Sequence, residues 1–186
     1  MRTHPAAELS DEQLVAYVRA TDDRGAFGLL VARHQGALLA FLTRHTGRVE
    51  HAEDLAQEAL IKAYDRLDEF RVEATFRTWL FRIAIREFLQ AERKAGAVRR
   101  MTDRLRGDAE VDADEPSCDS IAALDLQRAL LGLDPNERTA VLLSDACGMS
   151  NTDVAEAMDA PLGSVKTYIR RARGKLGLAI GDAYDD

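Results

Sequence analysis

TFRTWLFRIAIREFL, residues 75–89, holds the only Trp of the chain and three of its six Phe. At about 100° per residue on a helix, Phe76, Leu80, Phe81, Ala84, Ile85 and Phe88 fill a broad apolar arc. Arg82, Arg86 and, further on, Arg93 fall on one narrow stripe, with Trp79 at its edge. A helix that is apolar over most of its circumference is buried on most sides, so its function lies on the strip left outside. Here that strip joins cations to a large π surface. The combination suits single-stranded nucleic acid, whose phosphates meet Arg and whose unstacked bases meet aromatic rings. A core Trp beside a solvated Arg face fits the same pattern.

Outward from this stretch the chain reads as all-α. Segments with a 3.6-residue period dominate its 186 residues, and no alternating strand-like stretch of any length appears. Two small helical domains are expected, at 8–106 and 120–180, joined by a linker at 107–119. The linker is acidic, contains Pro116, and has Val111 as its one large apolar residue, a composition that predicts mobility and protease sensitivity. No apolar run long enough to span a membrane and no signal peptide is read after Met1, so no membrane insertion is expected. Cys118 and Cys147 lie far apart with no Cys or His at ligand spacing, which reads as two free thiols in a cytoplasmic protein. No catalytic residue, metal or cofactor is expected.

The formal net charge of −7 argues against nucleic acid, but its distribution argues for it. Residues 71–106 carry ten bases against four acids, a net +6. Residues 108–125 carry seven acids and no base, and residues 164–177 five bases and no acid. Two basic blocks separated by an acidic one suit two nucleic-acid sites on one chain.

Local signals place the helices. Ser10 with Gln13 is a capping box for a helix to about Ala20. Asp22 or Asp23 caps the next, which sends Phe27, Leu30, Val31, Leu38, Leu39, Phe41 and Leu42 toward a core and ends near Gly47. A third helix, expected over residues 50–67, has an inner seam of Ala and Leu and an outer face of Asp54, Gln57, Glu58, Ile61, Lys62 and Asp65. An Ile inside a polar rim is the make-up of a protein-binding face. Thr75 caps the fourth helix, expected to reach Lys94 or beyond with a break at Gly96. In the second unit, Leu124, Leu126, Leu130, Leu131 and Leu133 mark one helix, and Asp134-Pro135-Asn136-Glu137 starts another that Gly148 stops. Ser150 and Asp153 cap a short helix, and a last one starts near Ser164.

A short helix, a tight turn with Gly163 and a basic helix form the helix-turn-helix pattern. Val165, Tyr168, Ile169, Ala172 and Leu176 share one arc of the last helix, and Lys166, Arg170 and Arg173 share the opposite side, flanked by Thr167 and Arg171. Arg can read guanine bidentately in the major groove, while Lys and Thr reach bases or phosphates.

AEDLAQEALIKAY (52–64), FRVEATFRTWLFRIA (70–84), LDPNERTAVLL (133–143) and SNTDVAEAMDAPLGSVKTYIRRARGKL (150–176) together resemble the bacterial extracytoplasmic-function (ECF) sigma factors. The resemblance covers nearly the whole chain in the right order. It implies a sigma-two domain and a sigma-four domain that direct core RNA polymerase to promoters, with no enzymatic activity of their own. Asp54, Gln57, Glu58 and Ile61 then face the clamp helices of the polymerase largest subunit. Phe70, Arg71, Thr75, Phe76, Trp79, Arg82 and Arg86 fall in the part that opens the promoter and captures a base of the minus-ten element. Ser164, Lys166, Thr167, Arg170, Arg171 and Arg173 fall in the reader of the minus-thirty-five element. The linker is expected in the RNA exit path, and an anti-sigma factor in an envelope or stress response is an expected partner. Val72 stands where a Gly is common, Tyr64 where Trp is commoner, and Asn151 where an aromatic is usual. No further domain is expected after Asp186. Two other readings stay open: a sigma-like decoy for an anti-sigma factor, and a stand-alone helix-turn-helix regulator.

Overall fold

A computed structural model describes residues 5–103 and 121–181 of the chain, with side chains over 5–96 and 123–180. The linker at 107–119 lies outside the described residues, as does Cys118. Within them there are eight α-helices and no strand. Four precede the undescribed stretch: α1 (Asp11–Thr21), α2 (Arg24–Thr46), α3 (Val49–Asp65) and α4 (Phe76–Asp103). Four follow it: α5 (Ile121–Leu131), α6 (Pro135–Val141), α7 (Asn151–Met158) and α8 (Leu162–Gly181).

The caps fall where the local chemistry puts them. Ser10 and Gln13 close the capping box of α1, and the Asp23 carboxylate accepts from the Gly25 and Ala26 amides at the start of α2. Gly47 ends α2 at φ 76°, a conformation that costs a glycine little. Thr75 Oγ1 accepts from the Thr78 amide at 3.1 Å, the N-cap bond of α4. Asp134 caps α6 above Pro135, and Ser150 with Asp153 boxes α7.

In the first unit α2 packs on α1 and α3, and α3 on α4. Ala52, Ala56, Ala59 and Ala63 recur along the inner face of α3, where small side chains let its neighbours approach closely. Phe41, Phe76, Leu80 and Phe81 fill the space between, each about 1% exposed or less. Burying each large apolar side chain contributes about 1.5–3 kcal/mol. The six residues of the apolar arc on α4 are all buried, as their spacing requires.

Several readings of the sequence need correction. Leu39 and Val31 are only half-buried and line a surface cleft rather than the core. The helix α4 does not break at Gly96; one helical glycine costs only about 1 kcal/mol against Ala and the helix runs on to Asp103. The helix after Asp134 does not stop cleanly at Gly148: it widens into a π-turn over Leu142–Ala146. The last helix begins at Leu162, two residues before Ser164. Finally, α2 is long and apolar enough, by length and composition, to cross a membrane. Its side chains instead pack against α1, α3, α4 and α5 as the central core helix.

The two units share one continuous core. Their junction is built on the C-terminal end of α2, where helix carbonyls lack intrahelical partners. Arg138 Nη1 of α6 donates to His45 O at 3.0 Å, and Gln127 Nε2 of α5 donates to Arg44 O at 3.0 Å. A cation at a helix C-terminus also favours the helix dipole. A Cβ on Gly47 would come within 3.1 Å of Leu131 Cδ1, so α5 seats directly on this turn. His45 itself is buried, with Nε2 at 2.7 Å from Thr139 Oγ1 and its ring 4.3 Å from that of Phe88.

Candidate nucleic-acid interface

The basic face of the last helix is built on a buried arc. Val165, Ile169 and Ala172 of α8 point inward against α6 and α7. The opposite side leaves Lys166, Arg170 and Arg171 exposed, without an ion pair among the described residues. Thr167 Oγ1 donates back to Gly163 O at 2.9 Å, and Ser164 is half-buried at the first turn. Arg173 differs from its neighbours: Nε and Nη2 grip the Asp145 carboxylate at 3.0 and 2.6 Å. The hydrogen bond from Arg173 holds the Asp145 carboxyl below its usual range, against the opposing effect of burial. Lys175 Nζ sits 2.7 Å from Glu137 Oε2. The free cations are thus concentrated at the N-terminal half of α8.

On α4, Phe70 and Phe76 are core residues, 2% and 1% exposed. They support Trp79 from below, with ring centroids 5.5 and 5.8 Å from it. Trp79 is half-buried and presents one edge to a polar pocket of about 250 Å³, rimmed by Arg66, Arg71, Arg82, Arg86 and Glu156. Arg71 is exposed, as is Thr75 at the helix start. Arg82 Nη2 meets Glu156 Oε1 at 2.7 Å and its Nε donates to Glu156 O at 3.0 Å. Arg86 Nη2 lies 3.7 Å from Asp159 Oδ2. The structure therefore brings Trp79, Arg82 and Arg86 to one place and sets α7 over them.

Arg19 is a positioning residue that the sequence reading did not find. From α1 it donates to Leu67 O through Nε at 3.0 Å and to Phe70 O through Nη2 at 2.6 Å. It thereby pins the connection from α3 to α4 that carries Phe70 and Arg71. Nothing local marks it, because its partners lie 48 and 51 residues away.

Asp54, Gln57, Glu58 and Ile61 are all exposed on α3, and Ile61 is 50% accessible. Lys62 on the same face is held by Glu87 of α4 and by Glu58 at 3.1 Å, and these hydrogen bonds raise its pKa. Beside Gln57 and Ile61 opens an apolar cleft of about 900 Å³ between α2 and α3, walled by Phe27, Val31, Leu39 and Leu60. Gly36 and Leu39 join it to a second cleft of about 470 Å³ between α2 and α5.

Residues 30–100 match the family model for sigma-70 region 2, and residues 123–176 that for sigma-70 region 4. A similar protein is the ECF RNA polymerase sigma-E factor of Haemophilus influenzae, 36% identical over 183 residues, covering 90% of this chain and 94% of that protein. The chain belongs to the ECF RNA polymerase sigma factors. Sigma factors are transcription initiation factors that bind core RNA polymerase and promoter DNA. Another similar sigma factor is the sigma-H factor of Pseudomonas aeruginosa, 35% identical over 182 residues, covering 91% of this chain and 93% of that one. Among solved structures, RpoE of Bartonella quintana in complex with the anti-sigma factor NepR aligns with a TM-score of 0.71 at 30% identity, covering 83% and 96% of the two chains. CnrH in complex with the cytosolic domain of CnrY aligns at 0.69 and 28% identity, covering 94% and 98%.

Proposed function

We propose that this sigma factor divides promoter recognition between a sigma-two domain at 8–106 and a sigma-four domain at 120–180. The observation that carries the reading is the unpaired basic face of α8, Lys166, Arg170 and Arg171, standing on a buried helix-turn-helix core. This face reads the minus-thirty-five element, with Thr167 and Ser164 toward the phosphates. Arg173, engaged by Asp145, sets the angle of the helix and reaches DNA only when that pair opens.

Trp79, Arg82 and Arg86 meet the non-template strand of the minus-ten element, and Arg71 with Thr75 flanks the captured base. Phe70 and Phe76 act through Trp79, since both are buried beneath it. The Asp54, Gln57, Glu58 and Ile61 face docks on the polymerase clamp, and the adjoining apolar cleft gives Ile61 a place to deliver burial energy. Cytoplasmic residence and control by an anti-sigma factor complete the reading. RpoE and CnrH, with which this chain shares its fold, were solved bound to NepR and CnrY.

The test is promoter-directed transcription with purified core polymerase. Arg170→Ala is expected to weaken promoter binding by about 1–3 kcal/mol if it makes a bidentate base contact, with relaxed preference at that base pair. An equal loss on all upstream sequences assigns Arg170 to a phosphate. No loss on the cognate promoter removes α8 from recognition.

A further inference from the structure

The last turn of α7 is acidic in the wrong place for a helix. Negative side chains are disfavoured at a helix C-terminus, where the dipole calls for cations. Yet α7 ends with Glu156 in its last turn and Asp159 as its C-cap, and it has no basic residue there. Asp159 also sits at φ 52°, in the left-handed region that a glycine or asparagine fills at lower cost. Neither residue is placed to stabilise its own helix.

Both are placed against α4. Glu156 offers Arg82 two acceptors, its carboxylate at 2.7 Å and its backbone carbonyl at 3.0 Å. A planar guanidinium held by two oxygens in this way is arranged as it would be on a phosphate. Asp159 lies one turn on, opposite Arg86. Arg77, one turn before Trp79 on the same helix, donates to Cys147 O at 2.5 Å and closes the other edge of the contact. The covering is selective: Lys166, Arg170 and Arg171 on α8 face away from α4 and stay exposed.

We propose that the end of α7 is a built-in competitor for single-stranded DNA: Glu156 and Asp159 occupy Arg82 and Arg86 in the closed chain, and α7 and a melted promoter strand exclude one another. The inference rests on α4 being the single-strand interface. It makes the free sigma factor silent toward single strands while its duplex-reading helix stays available. Separation of the two domains, as on polymerase, exchanges two carboxylates for phosphates at the same guanidinium groups. Such an exchange keeps each arginine paired throughout, so no uncompensated charge is exposed on the way.

Titration of the full chain with a labelled mixed-sequence single-stranded DNA oligonucleotide, followed by fluorescence anisotropy, tests this. The variant Glu156→Gln with Asp159→Asn keeps the shape of both side chains and suits the left-handed position. It is expected to bind about three- to tenfold more tightly than the wild type, because the strand-competent form is more populated. Glu53→Gln with Asp65→Asn changes the net charge equally on exposed positions of α3. It is expected to give no such gain; an equal gain there overturns the proposal as a bulk charge effect. Adding Arg82→Gln to the Glu156→Gln, Asp159→Asn background is expected to remove the gain. If Arg82→Gln weakens binding but the acidic pair has no effect, the interface reading stands and the competitor is overturned. If Arg82→Gln changes binding in neither background, both fall together. Circular dichroism of each variant separates these outcomes from loss of fold.

Discussion

His45 shows how one side chain couples the two halves of the molecule. It is enclosed by Phe41 of α2, Phe88 of α4 and Thr139 of α6, with the Arg138 guanidinium on its carbonyl. Burial, reinforced by Arg138, lowers its pKa from 6.5 to about 4. A base whose folded pKa is depressed binds fewer protons folded than unfolded, so acid destabilises the folded form. The contribution is complete above about pH 6.5, falls as the pH drops toward 4, and totals about 3 kcal/mol. The melting temperature is expected to fall between pH 7 and 5, and to fall less in His45→Gln, whose amide keeps a donor toward Thr139. Equal slopes for the two proteins would show that His45 does not titrate with unfolding. Arg19 is the second residue whose loss should be felt at a distance. Arg19→Ala strips the half-buried carbonyls of Leu67 and Phe70 of their donor, at a cost of about 1–3 kcal/mol in denaturant unfolding. Because Phe70 supports Trp79, promoter opening measured by thymine reactivity is expected to suffer more than duplex binding. Neither residue was legible in the sequence. His45 and Arg19 find their partners 94 and 48 residues away, and no local pattern carries such a pairing.

At the scale of elements much more was legible, because helices announce their ends chemically. The caps at Ser10, Asp23, Thr75, Asp134 and Ser150 were readable from residue type and spacing alone. So were the buried arcs of α4 and α8, since a 3.6-residue period maps directly onto one face. What failed were continuations. Gly96 breaks no helix because the residues on either side keep the ladder going. The π-turn at Leu142–Ala146 is set by the Cys147 amide reaching back to Leu142 O at 3.0 Å, a register no spacing rule predicts. Half-buried Leu39 and Val31 looked like core because the sequence does not tell an apolar cleft from an apolar interior. On α3 the outward face was legible and its cleft was not. Gln57→Ala with Ile61→Asp is expected to leave circular dichroism and melting nearly unchanged, since both residues are exposed. The same pair is expected to abolish co-elution with core polymerase by size exclusion. Retained co-elution would place the docking face elsewhere.

For the whole molecule, the two-domain plan was legible as a charge pattern, and the way the domains meet was not. Arg138 on His45 O, Gln127 on Arg44 O and Glu156 on Arg82 span 93, 83 and 74 residues. They create an arrangement in which the strip on α4 is covered and the basic half of α8 is open. A chain with net charge −7 attracts duplex DNA weakly over distance, so only local basic faces favour binding. Each face alone has the area of a single small module. Polymerase that holds both at promoter spacing converts two weak sites into one bivalent site, without any new contact to DNA from the sigma factor itself. The direct measurement is the affinity of this protein for double-stranded promoter DNA, alone and with core RNA polymerase, at one fixed salt concentration. Weak, sequence-indifferent binding by the free chain, becoming tight and promoter-specific when polymerase is added, is the predicted result. Tight, sequence-specific binding by the free chain that added polymerase leaves unchanged would contradict it.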